Sequence, residues 1–573
     1  MIFMSAQPDT LYMKWQLEVL LVNLKSLGVK KDQIHILISY DPMHGLSTLF
    51  RDLRKRYEEI ALFFAYPDTR MDRNYQPSIR PHIIKKHFLQ HRRLENETIF
   101  YHDADIIFRT LPDFDSLMHD DVWYVSDTTN YISARSIIKN AGRKVLEEMC
   151  ELIGADQKKI EDASVNSGGA QYLIKNSSYQ FWDKVESDSN LLHAFLTENE
   201  KRFEAQFVAA TKSDAASYVG VIAWCADMWA VLWNAIHANY KVSIAKELDF
   251  CWPKDPLQKW DEVKIFHNAG LDTPDASRYF YKGDFFNSTP FNLSFSYVAQ
   301  DTCSIKYVEA IKEAKEFRKI DLMDVTFLIP VRIDSPERLD NLIISTSFIL
   351  ENFKTNMIVL EADVYRKVPE NALSDQIKYV FCTDEVRDLY RTKYNNDMIR
   401  MAESPIIALY DVDIIVEPEQ LLEAAGHIRS GRAKIALPYD GRFISIDSAA
   451  KKQAFLKTLD IGILKSAEEK CTCGSACGGA ILLDTAVYKN SGMDNEVFLK
   501  WGPEDIERLR RLKILGYPAI RVEGLMYHLY HPPYINSGYR TAEEKIDMLG
   551  NYVAMANKTR YEMEEYLMNQ KIS

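Results

Sequence analysis

Two kinds of apolar pattern alternate along the chain. Short β-branched runs bounded by polar residues, Gln33–Ser39 and Val325–Pro330, read as strands, while Trp15–Leu27 and Pro336–Asn352 space their apolar residues at helical period. Strands alternating with helices predict an α/β sheet. A charged helical pattern over Asp301–Lys319 stops just before the strand at Val325, which places a domain boundary near residue 322 and divides the chain into 1–322 and 323–573. A second charged helix is expected over Thr541–Tyr566, packed across the C-terminal domain. No Pro/Ser-rich linker separates the halves, so they are expected to pack together.

The two halves repeat one order of features. An apolar run ends in Asp103-Ala-Asp105 and resumes as Ile-Ile-Phe; in the second half another ends in Asp411-Val-Asp413 and resumes as Ile-Ile-Val. A Gly-Gly follows each triplet, Gly168-Gly169 and Gly478-Gly479. Then come a tryptophan with acids close by, Trp224 with Asp227 and Trp501 with Glu504 and Asp505, and a late histidine after an apolar stretch, His267 and His528. Internal repetition of this kind predicts two related domains.

Two carboxylates one residue apart at a strand end point to the same side and make a cation site. Oxygen ligands suit Mg²⁺ or Mn²⁺, which share their shell between carboxylates and substrate phosphates, and ligands of open α/β sheets bind beyond the carboxyl ends of the strands. A nucleotide-diphosphate substrate fits both facts. The competing reading of each triplet is two solvated aspartates in a turn, which the second copy disfavours. Glu504 and Asp505 also suit the first turn of a helix over 504–515.

Composition narrows the function classes. Of 573 residues, 47% are hydrophobic and 27% charged, as in folded globular proteins, and this length needs at least two cores. A net charge of -12 argues against a nucleic-acid partner held through its phosphates. The longest nearly apolar stretch, 218–233, is broken by Asp227 and too short to span a bilayer. No secretory signal is visible at residues 1–10, and eight cysteines do not make a disulfide scaffold, so a reducing, cytoplasmic setting is expected. Cys471, Cys473 and Cys477 supply three thiols at a spacing poor for structural zinc.

The second half resembles the β-1,4-galactosyltransferase and chondroitin-polymerase group of GT-A-fold glycosyltransferases. The resemblance rests on Ile329-Pro330-Val-Arg332-Ile-Asp334, Tyr390-Arg391-Thr-Lys393, Asp411-Val-Asp413, Gly478-Gly479, Trp501-Gly-Pro-Glu504-Asp505 and His528. It implies a donor site of Pro330, Arg332, Asp334, Arg391, Lys393, Asp411, Gly478 and Gly479, joined by Tyr439 and Asp440 beside Arg442. It further implies a metal held by Asp411, Asp413 and His528 with His531 as competitor, acceptor binding by Trp501, and Asp505 as base with Glu504 beside it. The W-G-P-E-D-I string is shorter than that of animal galactosyltransferases, which leaves the acceptor open. The first half is similar more generically to retaining GT-A enzymes. There Asp103, Asp105 and His267 are the metal residues, Asp103, Lys282, Gly168, Gly169 and Gln171 serve the donor, and Asp227 is a catalytic candidate at the sugar face. Lys282 stands farther from His267 than the family pattern places it.

The expectation is therefore two GT-A (Rossmann-like nucleotide-sugar-binding) α/β domains in tandem. Each would use one Mn²⁺ or Mg²⁺ and a UDP-sugar, the C-terminal one inverting and the N-terminal one retaining, to extend a glycan, glycolipid or glycoprotein, with no membrane association beyond a peripheral one. The alternatives are one active domain beside a lectin-like acceptor-binding half, a glycan-binding protein without catalysis, and, third, a nucleotidyltransferase.

Overall fold

The computed structural model describes residues 1–572 except 213–217, 294, 387, 466–470, 473, 499–501, 533–538 and 540. The chain divides into two units, Met1–Arg318 and Lys319–Ser573. The first contains β1 (Ile2–Pro8), β2 (Ile34–Tyr40), β3 (Leu62–Pro67), β4 (Ile99–His102), β5 (Ile106–Phe108), β6 (Val122–Asp127), β7 (Gly168–Ile174), β8 (Lys241–Ile244), β9 (Phe250–Cys251) and β10 (Ile265–His267). Its main sheet runs β3-β2-β1-β4-β7-β6-β8, and a small sheet runs β5-β10-β9. All neighbours in the main sheet are parallel except β7, which runs against both β4 and β6.

The second unit contains β11 (Ile320–Val331), β12 (Phe353–Asp363), β13 (Lys378–Thr383), β14 (Ile406–Tyr410), β15 (Ile414–Val416), β16 (Ile435–Leu437), β17 (Phe443–Ile446), β18 (Cys471–Thr472), β19 (Ala480–Asp484), β20 (Ile520–Arg521) and β21 (Met526–Leu529). Its main sheet, β13-β12-β11-β14-β19-β16-β20, matches the first position for position, with β19 as the antiparallel member. The small sheet is β15-β21-β17-β18. The expected tandem α/β architecture is thus present, and the duplication seen as scattered strings is a duplication of topology.

The central strands are apolar on both faces because helices cover both. Residues 2–7 of β1 and 325–331 of β11 are buried throughout. The helix Leu11–Ser26 starts where the Thr10 hydroxyl accepts from the Met13 N–H at 3.3 Å. The helix Pro336–Asn352 starts where Ser335 caps the Arg338 N–H at 3.2 Å, with Pro336 in the first turn. The helix Ser304–Arg318 closes the first unit: Tyr307 meets Trp15 edge to face at 6.5 Å, and Phe317 stacks on Tyr57 at 5.6 Å. The single helix expected over Thr541–Tyr566 is two, Ala542–Ala556 and Arg560–Ile572. Thr559 restarts the chain by a reciprocal cap, its hydroxyl accepting from the Glu562 N–H while the Glu562 carboxylate accepts from the Thr559 N–H.

A buried relay lies under the edge of the first sheet. His35 on β2 meets His87 Nε2 at 2.9 Å, and the Tyr66 hydroxyl on β3 meets His87 Nδ1 at 2.7 Å. Burial first, then Arg93 and the neighbouring histidines, push His35 down to about 4 and His87 to about 2, with Asp32 the only opposing charge on His35. Both rings are therefore neutral when folded, whereas the unfolded chain protonates them near pH 6.5. A depressed histidine pKa means that the unfolded state binds more protons, so stability is present above pH 6.5 and is lost as pH falls toward about 4. The expected slope is up to about 1.4 kcal/mol per pH unit for each histidine. Melting curves recorded from pH 7 downward should flatten in His87→Phe; an unchanged pH profile would rule the relay out as the cause.

Candidate active sites

Both Asp-x-Asp triplets occupy the turn between the end of a central strand and the first strand of the small sheet, β4 to β5 and β14 to β15. The late histidines reach them through strand pairing in the same register. His267 on β10 lies opposite Ile106, the residue after Asp105, and His528 on β21 lies opposite Ile414, the residue after Asp413. One pairing rule therefore delivers an imidazole to a carboxylate twice.

In the first unit His267 Nε2 lies 3.6 Å from Asp103 and 3.4 Å from Asp105. The three side chains could hold a cation, since their ligand atoms lie within 4.8 Å of one another. Lys282 pairs with the Asp105 carboxylate. Burial raises the Asp105 pKa, but Lys282 and His267 outweigh it and hold the carboxyl well below the usual range. Arg80, from the helix Ile79–Gln90, bridges Asp103 and Asp227, reaching the latter at 2.6 Å. Asp227 opens the helix Ala226–His237 and lies 6% exposed. Gln171, expected at the sugar face, is buried behind His267: its amide meets His267 Nδ1 at 3.3 Å and accepts from Ser126 at 2.6 Å. It orients the imidazole.

In the second unit the imidazoles of both His528 and His531 face Asp413, at 3.9 and 3.0 Å, and these three form the cluster able to hold a cation. Arg338 donates to Asp413 at 3.0 Å. Burial raises the Asp413 pKa, but His531, His528 and Arg338 prevail and set it at about 2. Asp411, expected beside Asp413 as a ligand, instead takes Arg391 at 2.5 Å. Burial and the nearby Asp413 and Asp505 push its carboxyl up to about 7 against the pull of Arg391.

The two acids at the start of the helix Glu504–Ile514 sit in different environments. Burial, then the charge of Asp505, pushes Glu504 up to about 8. The Arg508 guanidinium donates to Asp505 at 2.6 Å, and the other Asp505 oxygen lies 3.9 Å from Arg391. Gly478 makes this approach possible: a Cβ there would stand 2.4 Å from Asp505 Oδ2. Arg338, Arg391, Asp411, Asp413, Gly478, Gly479, His528 and His531 surround a cleft of about 270 Å³.

Other expected residues lie around the cleft in supporting places. Tyr439 is fully buried and holds the Gly478 carbonyl with its hydroxyl at 2.6 Å, and Asp440 pairs with Arg442 at 2.5 Å. Arg332, beside Pro330 at the end of β11, donates to the Ala362 and Val386 carbonyls and to Asp384. Asp334 pairs with Arg338 at 3.3 Å. Lys393 is exposed, over the Tyr394 ring. Trp501 and Cys473 lie outside the described residues.

The glycine pairs match in kind but not in register. His102 pairs with Gln171 and Tyr410 with Ala480, which sets Gly169 opposite the place of Gly478 and Ala170 at the place of Gly479. Gly479 has φ +87°, and Ala170 adopts φ +68°, a left-handed backbone that an alanine occupies at a cost of about 1 kcal/mol or more. Gly168 is packed against Val125 and Gly169 against Met228 and Tyr172.

Oxygen and imidazole donors without thiolate are the donor chemistry of a Mn²⁺-type cation, and the buried carboxylates at both clusters carry the charge such an ion would neutralise. The residues present therefore fit one divalent cation in each unit.

No family model and no curated protein matches the chain. Among solved structures, S. aureus TarS 1–349 in complex with UDP-GlcNAc is similar at 12% identity and a TM-score of 0.28, over 42% of this chain and 70% of that one. GalNAc-T7 with UDP, GalNAc and Mn²⁺ is 13% identical at a TM-score of 0.29, over 42% of this chain and 50% of that one. The catalytic domain of Drosophila β1,4-galactosyltransferase 7 with xylobiose is 15% identical at a TM-score of 0.25, over 41% of this chain and 81% of that one.

Proposed function

We propose that the chain is a pair of metal-dependent GT-A-type glycosyltransferase domains, each transferring a sugar from a nucleotide-sugar donor, a UDP-sugar by preference, to a growing glycan. The observation that carries this reading is the repeated register: the same sheet order brings an acid-turn aspartate and a late histidine together twice, at the carboxyl ends of the central strands where α/β folds bind nucleotides. In no described helix is there a stretch long and apolar enough to cross a membrane.

In the second unit the chemistry is an inverting displacement. An acceptor hydroxyl forms the bond to the donor's anomeric carbon, the carbon–oxygen bond to the diphosphate breaks with its electron pair going to the diphosphate, and Asp505 takes the hydroxyl proton. Arg508 orients Asp505 through its hydrogen bond, while Glu504, pushed up to about 8 and so protonated at neutral pH, is a hydrogen-bond donor for a sugar hydroxyl. Arg391 and Arg338 add positive charge beside the leaving group. A cation held by Asp413, His528 and His531 would supply Lewis-acid stabilisation of the diphosphate. In the first unit Asp103, Asp105 and His267 would hold the ion, Lys282 would turn from Asp105 to the diphosphate, and Asp227 would face the sugar.

The test is nucleotide release from a panel of UDP- and GDP-sugars with Mn²⁺, for the intact protein and for Asp103→Ala/Asp105→Ala and Asp411→Ala/Asp413→Ala. The expected result is that each double variant loses release from a different donor. Loss of all turnover from one pair with the other silent would leave a single enzyme beside a binding domain; absence of turnover with every donor would overturn the reading.

A further inference from the structure

We infer that Trp224 is the platform on which the first unit receives its acceptor, stacking the indole on the apolar face of a pyranose ring; this rests on the transferase reading of that unit. The core of the unit absorbs tryptophan readily, since Trp15, Trp123, Trp182, Trp229 and Trp233 are each at most 1% exposed. Trp224 is 62% exposed, the one exposed tryptophan among the described residues, and Ile222 beside it is 56% exposed. A large apolar ring left in water beside a reaction centre marks a contact surface.

The backbone of Trp224 is tied to the site itself. Trp224 lies in the short turn Ala223–Cys225 that leads directly into the helix opened by Asp227. The Tyr75 O–H is shared between the Trp224 carbonyl at 2.6 Å and Asp227 Oδ1 at 2.7 Å, and its oxygen accepts from the Asp227 N–H at 3.0 Å. The Tyr75 ring is stacked on His193 at 4.4 Å and meets the indole edge to face at 6.2 Å. Arg80 then ties Asp227 to Asp103 of the cation cluster. Four successive polar contacts thus join the Trp224 backbone to a cation residue, and the Tyr75 ring flanks the indole, so the segment that carries the ring is tied to the site.

The occupant follows from size and chemistry. Among the described residues of this segment, the indole with Ile222 and Val219 as exposed aliphatic neighbours offers a short apolar patch on the scale of a sugar ring, whereas a helix or lipid surface needs a longer apolar stripe. The C–H face of a pyranose matches the indole, and its rim hydroxyls are the groups a transferase must present beside Asp227.

Saturation-transfer NMR on the full chain, with a panel of methyl α- and β-glycosides of the common hexoses and N-acetylhexosamines, tests this. At least one glycoside should bind, its affinity should fall about tenfold or more in Trp224→Ala and stay within about threefold in Trp224→Phe. The same glycoside should still bind Trp501→Ala, which separates this surface from the second unit. Melting temperatures control for folding, and Trp224→Phe keeps the test valid should the alanine variant be unstable. A panel that contains no binder, or Trp224→Ala binding like the parent, overturns the platform. Donor release is measured in parallel: if it depends on Asp103 and Asp105 while Trp224→Ala binds normally, the platform alone fails. If release never depends on them, the transferase reading of the unit fails and the platform with it.

Discussion

Asp505→Asn should lower acceptor-dependent transfer by the second unit by about 10² to 10⁴-fold, the usual contribution of a positioned general base. The substitution keeps the shape of the side chain and its contact with Arg508, which retains Asp494 as a buried partner, so folding is not expected to suffer. It removes only the group that accepts the proton. Transfer should be measured with the donor found by the release screen, following glycan product, and donor release at the first unit serves as an internal control. Glu504→Gln should cost less, because Glu504 is pushed up to about 8 and a neutral amide replaces a carboxyl that is itself neutral at pH 7. If Asp505→Asn transfers within tenfold of the parent while Glu504→Gln is inactive, the two roles are reversed.

The largest stability effect is expected one turn along the same helix, at Arg508 and its partner Asp494. Asp494 and Arg508 are both 2% exposed at their side chains and are joined at 2.7 and 3.1 Å, with Asn395 donating to Asp494 at 2.8 Å and the Tyr488 hydroxyl closing the cluster. Burial opposes the Asp494 charge, but Arg508 and these donors hold its carboxyl below the usual range. Asp494→Asn leaves a buried guanidinium half-compensated, and removing one partner of such a pair costs about 3–5 kcal/mol. The melting of the Lys319–Ser573 unit should fall by roughly 6–20 °C. The double variant Asp494→Leu/Arg508→Met should recover much of that loss in a double-mutant cycle, although it will sacrifice the support of Asp505. A shift below about 2 °C for Asp494→Asn would show that the pair is not holding this region together.

The acid triplets and late histidines are legible in the sequence because each is a short local string bound to a strand end. The helix Pro336–Asn352 is legible for a similar reason, with Ser335, Pro336 and an unbroken apolar period all in place. What strings do not carry is the meeting of distant helices with those turns. Arg80 reaches Asp103 from 23 residues away and Arg338 reaches Asp413 from 75. Arg338 lies on a helix read for its apolar face, and the helix of Arg80, Ile79–Gln90, carries no such reading. Arg508 had a readable signal, its i,i+3 spacing from Asp505 on one helix face. The glycine register was misleading because two adjacent glycines offer two alignments, and only the pairing of β4 with β7 shows that Ala170 takes the left-handed place. The resemblance to retaining enzymes assigns Gln171 to the donor, whereas in the structure it meets His267 Nδ1.

The closing helix Ser304–Arg318 has a consequence for biosynthesis. Trp15 donates its indole N–H to the Phe285 carbonyl, 270 residues later, and meets Tyr307 farther on still. At roughly 5–20 residues per second, the apolar face of Leu11–Ser26 waits on the order of 15 to 55 seconds after synthesis before its covering partners exist. Contacts of such long range close slowly and leave the nascent unit open to aggregation or chaperone capture in the interval. Substitutions in Ser304–Arg318 would therefore reduce the yield of folded chain in cells more than the melting temperature of the purified protein.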